Sequence, residues 1–218
     1  MKNLQMRILL ADDHDVVRRG LRQLLEDHEG WTVCGEAVTG RQAVEMAREL
    51  VPNLVILDLT MPGLNGLEAT RQIRKELPAT QVLIFTMHES EQLVSDVLSA
   101  GAKGYLLKSD ASRYIVAAVE ALAQGKPYFN MNVSAALLDA FLRGQSQERE
   151  ALADPLTARE REIVQLLAEG KSNKHIATLL SISLKTVETH RASIMRKLDA
   201  HSVVDIVRYA MRNNMTPR

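Results

Sequence analysis

Five residues have the types and spacing for phosphoryl chemistry. Asp12 and Asp13 end the apolar run Arg7-Ile8-Leu9-Leu10-Ala11, and Asp58 ends the run Leu54-Val55-Ile56-Leu57. Thr86 closes a fourth β-type run and Lys108 follows a fifth. If these runs are neighbouring parallel strands, all five residues meet at the carboxyl edge of one sheet, where open α/β folds place their ligands. Carboxylates gathered there repel unless a hard cation joins them, and oxygen ligands of this kind suit Mg²⁺. A carboxylate can attack phosphorus and form an acyl phosphate. Mg²⁺ offsets the charge that develops on the equatorial oxygens. A lysine ammonium pairs with one phosphoryl oxygen, and a threonine hydroxyl donates to another. Singly, each residue has a plainer reading: a turn former, a helix cap, a solvated charge, an ordinary strand residue. Each standing at the end of its own strand favours the chemical one.

The elements that must position these residues alternate over the first 125 positions. Strands are expected at Arg7–Ala11, Thr32–Ala37, Leu54–Asp58, Gln81–Thr86 and Gly104–Leu107. Amphipathic helices are expected at Val16–Glu26, Arg41–Glu49, Leu67–Lys75, Glu91–Ala100 and Ser112–Gln124. Near-continuous apolar strands belong to sheets covered on both faces. Five βα units in this order predict a doubly wound, five-stranded parallel sheet. The segment Met61-Pro62-Gly63-Leu64-Asn65-Gly66 reads as a loop.

Past residue 128 the alternation stops. Val133–Leu142 has the pattern of one short helix, and the polar stretch 144–150 reads as a linker. A purely helical block follows Pro155. Thr157 and Glu160 form a capping box for a helix over Ala158–Glu169, with Gly170 as its stop. Ser172 starts a second helix, and Ser183 caps a third over Leu184–Leu198. The short connection between them suits a helix-turn-helix. A fourth helix, Val203–Met211, puts Val204, Val207 and Met211 on one face. The predicted division is 1–128, a linker at 129–152, and 153–218.

The 218 residues are 46% hydrophobic and 25% charged, ordinary for a globular protein. No apolar run approaches the ~18 residues of a membrane span, and no signal peptide is visible. With Cys34 as the only cysteine, no intrachain disulfide forms, which fits a reducing cytoplasm. The net charge of zero hides a gradient. Residues 1–128 carry 14 basic and 17 acidic side chains, and residues 153–218 carry 11 and 7. An acidic front and a basic tail suggest two jobs.

Asp12-Asp13, Asp58 with Met61-Pro62-Gly63 and Gly66, Thr86 and Lys108 together resemble the receiver domain of bacterial two-component response regulators, from about Met6 to Gln124. The resemblance implies that Asp58 is the phosphoacceptor. It implies that Asp13, Asp58 and the Thr60 carbonyl ligate Mg²⁺, with Asp12 acting mainly through water. Thr86 and Lys108 would contact the phosphoryl group, and Tyr105 matches the switching aromatic that fills space vacated when Thr86 turns. Two positions depart from the common receiver pattern. Ser109 stands where many receivers have proline, so a cis peptide is not expected. Met87 stands where a small residue is common, and its bulk is expected to slow phosphorylation by small donors.

The tail resembles the LuxR-type helix-turn-helix of the NarL/FixJ subfamily. Leu156, Thr157, Arg159, Glu160, Glu169, Gly170, Ser172, Asn173, Lys174, Ile176 and Ala177 carry the first part of the match. Lys185, Thr186, Val187, His190, Ile194, Met195, Lys197 and Leu198 carry the rest. A capped helix with polar, cationic residues on one face can enter a major groove. Ser172, Asn173, Lys174, Lys185, Thr186, His190 and Arg191 are the candidate phosphate contacts. Glu188, Thr189 and Ala192 are the candidate base readers, although Glu188 can equally pair with Lys185 or Arg191 along its helix. Val187, Ile194 and Leu198 read as core. The last helix resembles the family's dimerisation element, through Val204, Val207, Arg208 and Met211.

The resemblance implies a DNA-binding transcription regulator, homodimeric when phosphorylated or DNA-bound, switched by a sensor histidine kinase or phosphotransfer protein, with Mg²⁺ as cofactor. It implies that phosphorylation controls exposure or dimerisation of the helix-turn-helix, and leaves open whether the receiver covers the recognition helix. Such a protein is not an enzyme beyond its own phosphoryl transfer and slow autodephosphorylation, which Thr60 and His88 would tune. A metabolic phosphatase with an Asp nucleophile is disfavoured, because Thr60 stands where its second acid belongs. A constitutive DNA binder with a vestigial receiver is disfavoured by the complete set of five residues.

Overall fold

The computed structural model describes residues 5–88, 91–129 and 155–216. The expected helix at 133–142 and the linker at 144–150 lie outside the described residues. The α/β part runs β1 Met6–Ala11, α1 Asp15–Glu26, β2 Trp31–Ala37, α2 Gly40–Leu50, β3 Leu54–Leu57, α3 Gly66–Glu76, β4 Gln81–Thr86, α4 Glu91–Ser99, β5 Gly104–Leu107, α5 Ala111–Ala123 and β6 Tyr128–Phe129. The helical part comprises α6 Ala158–Ala168, α7 Asn173–Leu179, α8 Leu184–Lys197 and α9 Val203–Arg212.

The sheet is parallel throughout, in the order β2-β1-β3-β4-β5-β6. The expectation of five strands is corrected to six. Tyr128 and Phe129 pair with Gly104 and Tyr105 and extend the sheet past β5. The chain reverses its winding at β1, which lies between β2 and β3. Ala11 pairs with Leu57, so Asp12 and Asp58 leave adjacent strand ends side by side. The Asp58 N–H donates to the Ala11 carbonyl at 2.7 Å.

Successive strand residues face opposite ways, and both faces are buried. Leu9, Ala11, Val55, Leu57, Val82 and Ile84 join the core over α2, α3 and α4. Ile8, Leu10, Leu54, Ile56, Leu83 and Phe85 join the core over α1 and α5. This two-sided burial explains why the strands read as unbroken apolar runs. Caps fix where the helices begin. Thr39 accepts from the Gln42 N–H and Asn65 from the Glu68 N–H, each cap contributing ~1 kcal/mol. Gly66 is required by close approach: a Cβ there would lie 2.2 Å from the Asp58 carbonyl oxygen. The absence of a side chain lets the start of α3 lie against the backbone of Asp58.

The helical part has its own core of Leu156, Ile163, Val164, Leu166, Leu167, Ile176, Val187, Ile194, Ile206 and Ala210, among others. Its caps follow the sequence. The Thr157–Glu160 capping box is present, Ser172 and Ser183 cap α7 and α8, and Ser202 and Asp205 form a second capping box on α9. Val187 and Ile194 are buried in this core, with Leu198 packed against it.

Candidate phosphoryl site and DNA-binding surface

The topology brings all five residues of the phosphoryl set to one sheet edge. Asp12, Asp58 and Thr86 are buried, at 2%, 1% and 0% exposure, while Asp13 stands further out. Lys108 begins a short 3₁₀ turn after β5. Its Nζ lies 2.7 Å from Asp12 Oδ2 and 3.0 Å from Asp58 Oδ2. Neither oxygen accepts a well-directed hydrogen bond, and one ammonium shared by two carboxylates leaves negative charge uncompensated. Buried orphan oxygens of this kind are costly. With Asp13 beside them they form a set of hard donors that fits a small divalent cation. There is no cis peptide bond among the described residues, as expected from Ser109.

The electrostatics suit a nucleophile. Burial raises the Asp58 carboxyl to about 6, the Lys108 ammonium draws it down, and Asp12 pushes it up. Above that pH the group is ionised, poorly solvated, and able to attack.

The neighbouring residues are arranged less simply. Thr86 Oγ1 accepts from the His88 N–H at 3.2 Å. Tyr105 is fully buried, and its hydroxyl donates to the His88 carbonyl. Tyr105 is thus held inward by the loop after β4. Met87 is 69% exposed. Thr60 is half-buried just past Asp58.

Two site residues escaped the sequence reading. Arg18, 8% exposed, donates to the Asp12 carbonyl, Asp15 and Glu36, and so fixes the β1–α1 loop. Its signal was weak: one arginine beside another in an amphipathic helix. His14 stands next to the acids, its Nδ1 2.8 Å from Asp13 Oδ1 and 3.1 Å from Asp12 Oδ1.

On the helical part Lys174, Lys185, Glu188, Thr189 and Ala192 are exposed, and Thr186, His190 and Arg191 are half-buried. This face of α8 lies open, and the α/β part does not cover it. Arg191 donates to Asn173 Oδ1 at 2.7 Å, joining two candidate phosphate contacts. Thr189 Oγ1 donates to the Lys185 carbonyl, and the Ser172 hydroxyl caps α7. On α9, Val204, Arg208 and Met211 are exposed and Val207 is half-buried.

The two parts meet instead through α6. Gln165, fully buried, donates from Nε2 to the Met61 carbonyl at 2.9 Å and accepts from the Asn65 N–H at 2.8 Å. Glu169 Oε1 accepts from the Gly63 N–H at 2.8 Å. Arg161 makes a two-point contact with Glu68 at 2.5 and 3.2 Å, and Gln72 donates to Glu162. The loop that receives Gln165 begins three residues past Asp58. This junction was not anticipated, although a glutamine inside Ile163-Val164-Gln165-Leu166-Leu167 is the kind of polar residue in an apolar run that needs a partner.

Residues 8–120 match the family described as response regulator receiver domain, and residues 154–210 match bacterial regulatory proteins of the luxR family. The oxygen regulatory protein NreC of Staphylococcus epidermidis is 40% identical over 215 residues, covering 96% of this chain and 99% of that protein. The transcriptional regulatory protein MctR of Rhizobium johnstonii is 36% identical over 214 residues, covering 98% and 97%. The solved structure of Salmonella typhimurium RcsB, described by its conformational dynamism for DNA interaction, gives a TM-score of 0.62 at 27% identity, covering 96% of this chain and 98% of that one. RcsB from Salmonella enterica serovar Typhimurium bound to promoter rprA with phosphomimetic BeF3- gives 0.58 at 26% identity, covering 94% and 98%. No helix among the described residues is long and apolar enough to cross a membrane. The chain belongs to the NarL/FixJ response regulators, a receiver followed by a LuxR-type DNA-binding domain, and is a DNA-binding transcriptional regulator of a two-component system.

Proposed function

We propose that phosphorylation of Asp58 by a sensor histidine kinase or phosphotransfer protein releases the DNA-binding domain through the junction on Gln165. In this reading residues 1–128 form the receiver, 129–152 the linker, and 153–218 the DNA-binding domain of a cytoplasmic protein. A carboxylate oxygen of Asp58 attacks the phosphorus of a donor phosphohistidine. The P–N bond breaks as the P–O bond forms, and the imidazole nitrogen keeps the electron pair and takes up a proton. Lys108 pairs with one phosphoryl oxygen, and the Thr86 hydroxyl gives up the His88 N–H to donate to another. Asp13, Asp58 and the Thr60 carbonyl would hold Mg²⁺, with Asp12 acting through water, and the bound cation would supply charge neutralisation at the equatorial oxygens. Thr60 and His88 set the access of water for slow autodephosphorylation, the only further chemistry assigned to the site.

The observation that carries the coupling is the bond from Gln165 to Met61, so close in sequence to the nucleophile. A phosphoryl group adds roughly −2 charge within a few residues of that loop. Moving the loop costs Gln165 and Glu169 their partners, and α6 lets go. The freed domain then pairs through Val204, Val207, Arg208 and Met211 and docks α8 in the major groove. Ser172, Asn173, Lys174, Lys185, Thr186, His190 and Arg191 meet phosphates there, and Glu188, Thr189 and Ala192 meet base edges. A full switch needs ~5.5 kcal/mol of differential stabilisation.

The chemical half is tested by incubating the chain with a labelled phosphorylated kinase and Mg²⁺. The label is expected on Asp58, lost to neutral hydroxylamine as acyl phosphates are, and absent from Asp58→Asn. A hydroxylamine-stable label, or one retained in that variant, would overturn it.

A further inference from the structure

The opposite edge of the sheet carries a cleft that the phosphoryl chemistry does not use. It opens where β1, β2 and β4 begin, beside the C-terminal ends of α1 and α5, and has a volume of about 470 Å³. Six residues of β1 separate it from the acids, a distance of about 20 Å at the usual rise per strand residue. Ligand clefts are commonly about 300–1,000 Å³, with apolar lining and a few placed polar groups. Met6 and Leu122, both part of the core over α1 and α5, supply apolar lining here.

One wall is aromatic and set by a turn. The Trp31 N–H donates to the His28 carbonyl at 3.2 Å. Gly30, between them, has a φ of +86°, a conformation that favours glycine. The turn stacks the His28 ring on the Trp31 indole, with centroids 3.8 Å apart and planes 18° apart. Both residues line the cleft.

The polar groups are acceptors short of donors. Gln81 Nε2 donates to the Ala79 carbonyl at 3.3 Å, which identifies the other amide atom as the oxygen. That Oε1 is buried and has no hydrogen-bond partner, whereas buried acceptors normally have one. The Gln81 side chain is half-buried, so a turn about its own bonds presents the oxygen to a donor in the cleft. At the rim, Glu120 Oε1 stands 3.7 Å from His28 Nε2, beyond hydrogen-bond length. Asn53 adds no free acceptor, because its Oδ1 already takes the Arg7 N–H at 2.8 Å. No lysine or arginine is among the described residues that line the cleft, so nothing there would meet an anion.

We propose that this cleft binds a small, uncharged, planar heteroaromatic amine of the aminopurine kind. The ring lies against Trp31, and its N–H groups donate to Gln81 Oε1 and to the Glu120 carboxylate. Flatness follows from the aromatic wall, donors from the two acceptors, and the absence of a phosphate from the missing cations. The site is separate from Asp58 and needs no phosphorylation.

Trp31 is the only tryptophan of the chain, so its indole N–H gives one signal in a proton–nitrogen correlation spectrum of the full chain. The probes are adenine, caffeine and adenosine monophosphate, added to the wild type, Gln81→Leu and Glu120→Ala. Adenine is expected to move the indole signal saturably. Caffeine is planar but has no N–H to donate, and adenosine monophosphate brings its phosphate toward Glu120; each is expected to bind at least about tenfold more weakly than adenine. Gln81→Leu is expected to lose about tenfold in adenine affinity. Glu120→Ala, an exposed change on α5, is expected to lose about threefold, and it carries the test alone if Gln81→Leu does not fold. An indole signal unmoved at the solubility limit of adenine, as for a cleft that holds only water, would overturn the site. Wild-type adenine affinity in both variants would do the same. Caffeine or adenosine monophosphate binding as tightly as adenine would overturn the ligand class.

Discussion

Gln165 Nε2 donates to the carbonyl of Met61 at 2.9 Å, joining the first helix of the DNA-binding part to the loop that follows Asp58. The same side chain accepts from the Asn65 N–H, so one buried amide satisfies both ends of the loop. Its neighbour Glu169 accepts from Gln165 and from Gly63. The receiver thus holds its output domain by the backbone of a functional loop, a contact that any displacement of that loop will break.

Replacing Gln165 with alanine strands the Met61 carbonyl and the Asn65 N–H in a buried setting. Each unsatisfied group costs about 1–3 kcal/mol, and separating the two parts relieves that cost. The expected result is DNA affinity raised about tenfold in the unphosphorylated protein, with a smaller further gain on phosphorylation. Titration of one DNA site at fixed salt checks it, and an affinity equal to the wild type would count against the junction.

Asp58 makes stability depend on pH. Its folded value of about 6 lies above the unfolded 3.8, so folding disfavours its ionised form. That penalty is absent below about pH 3.8, grows as pH rises toward 6, and is complete above it. At 1.36 kcal/mol per unit it reaches at most about 3 kcal/mol. In chelator, Asp58→Asn is expected to stabilise the receiver by about 2–3 kcal/mol at pH 7.5 and by under about 1 kcal/mol at pH 4.5. Urea melts at the two pH values measure the difference.

Glu160 behaves in the opposite sense. Burial raises its carboxyl, but the bonds from Lys197, from the Thr157 N–H and from Ser193 outweigh it and hold the group at about 2. A depressed carboxylate contributes stability above its unfolded 4.5, which is lost as pH falls toward 2. Glu160→Gln is expected to cost about 2–3 kcal/mol at pH 7 and little at pH 2.5. Thermal melts of the full chain should show the loss in the DNA-binding part.

Arg191 tests the DNA face. If it meets a phosphate, Arg191→Ala weakens binding to all sequences alike and lowers the slope of log affinity against log salt by about 1. Because Arg191 also holds Asn173, Asn173→Ala is the companion variant. Loss of discrimination between DNA sequences, with the slope unchanged, would move Arg191 to the base-reading set.

The sheet edge was legible because β1, β3 and β4 are largely buried on both faces and give way abruptly to polar residues, as Leu57 does to Asp58. The caps Thr157, Ser172 and Ser183 were legible because capping is local. The sixth strand was not: Tyr128 and Phe129 are two residues after a proline, and only the open edge of β5 makes them a strand. The junction was invisible for a related reason. Gln165 and Asn65 are 100 residues apart in sequence, and nothing in either segment names the other. The inward Tyr105 likewise depends on the His88 carbonyl, a backbone position with no sequence signature.

The central claim is that Asp58 controls DNA binding through the junction on Gln165. The most direct test measures affinity for one selected DNA site at a single salt concentration, with and without beryllofluoride plus Mg²⁺, in the wild type, Asp58→Asn and Gln165→Ala. The account predicts a gain of tenfold or more in the wild type, none in Asp58→Asn, and a raised starting affinity with a reduced gain in Gln165→Ala. Equal affinity for the wild type in both conditions would contradict it.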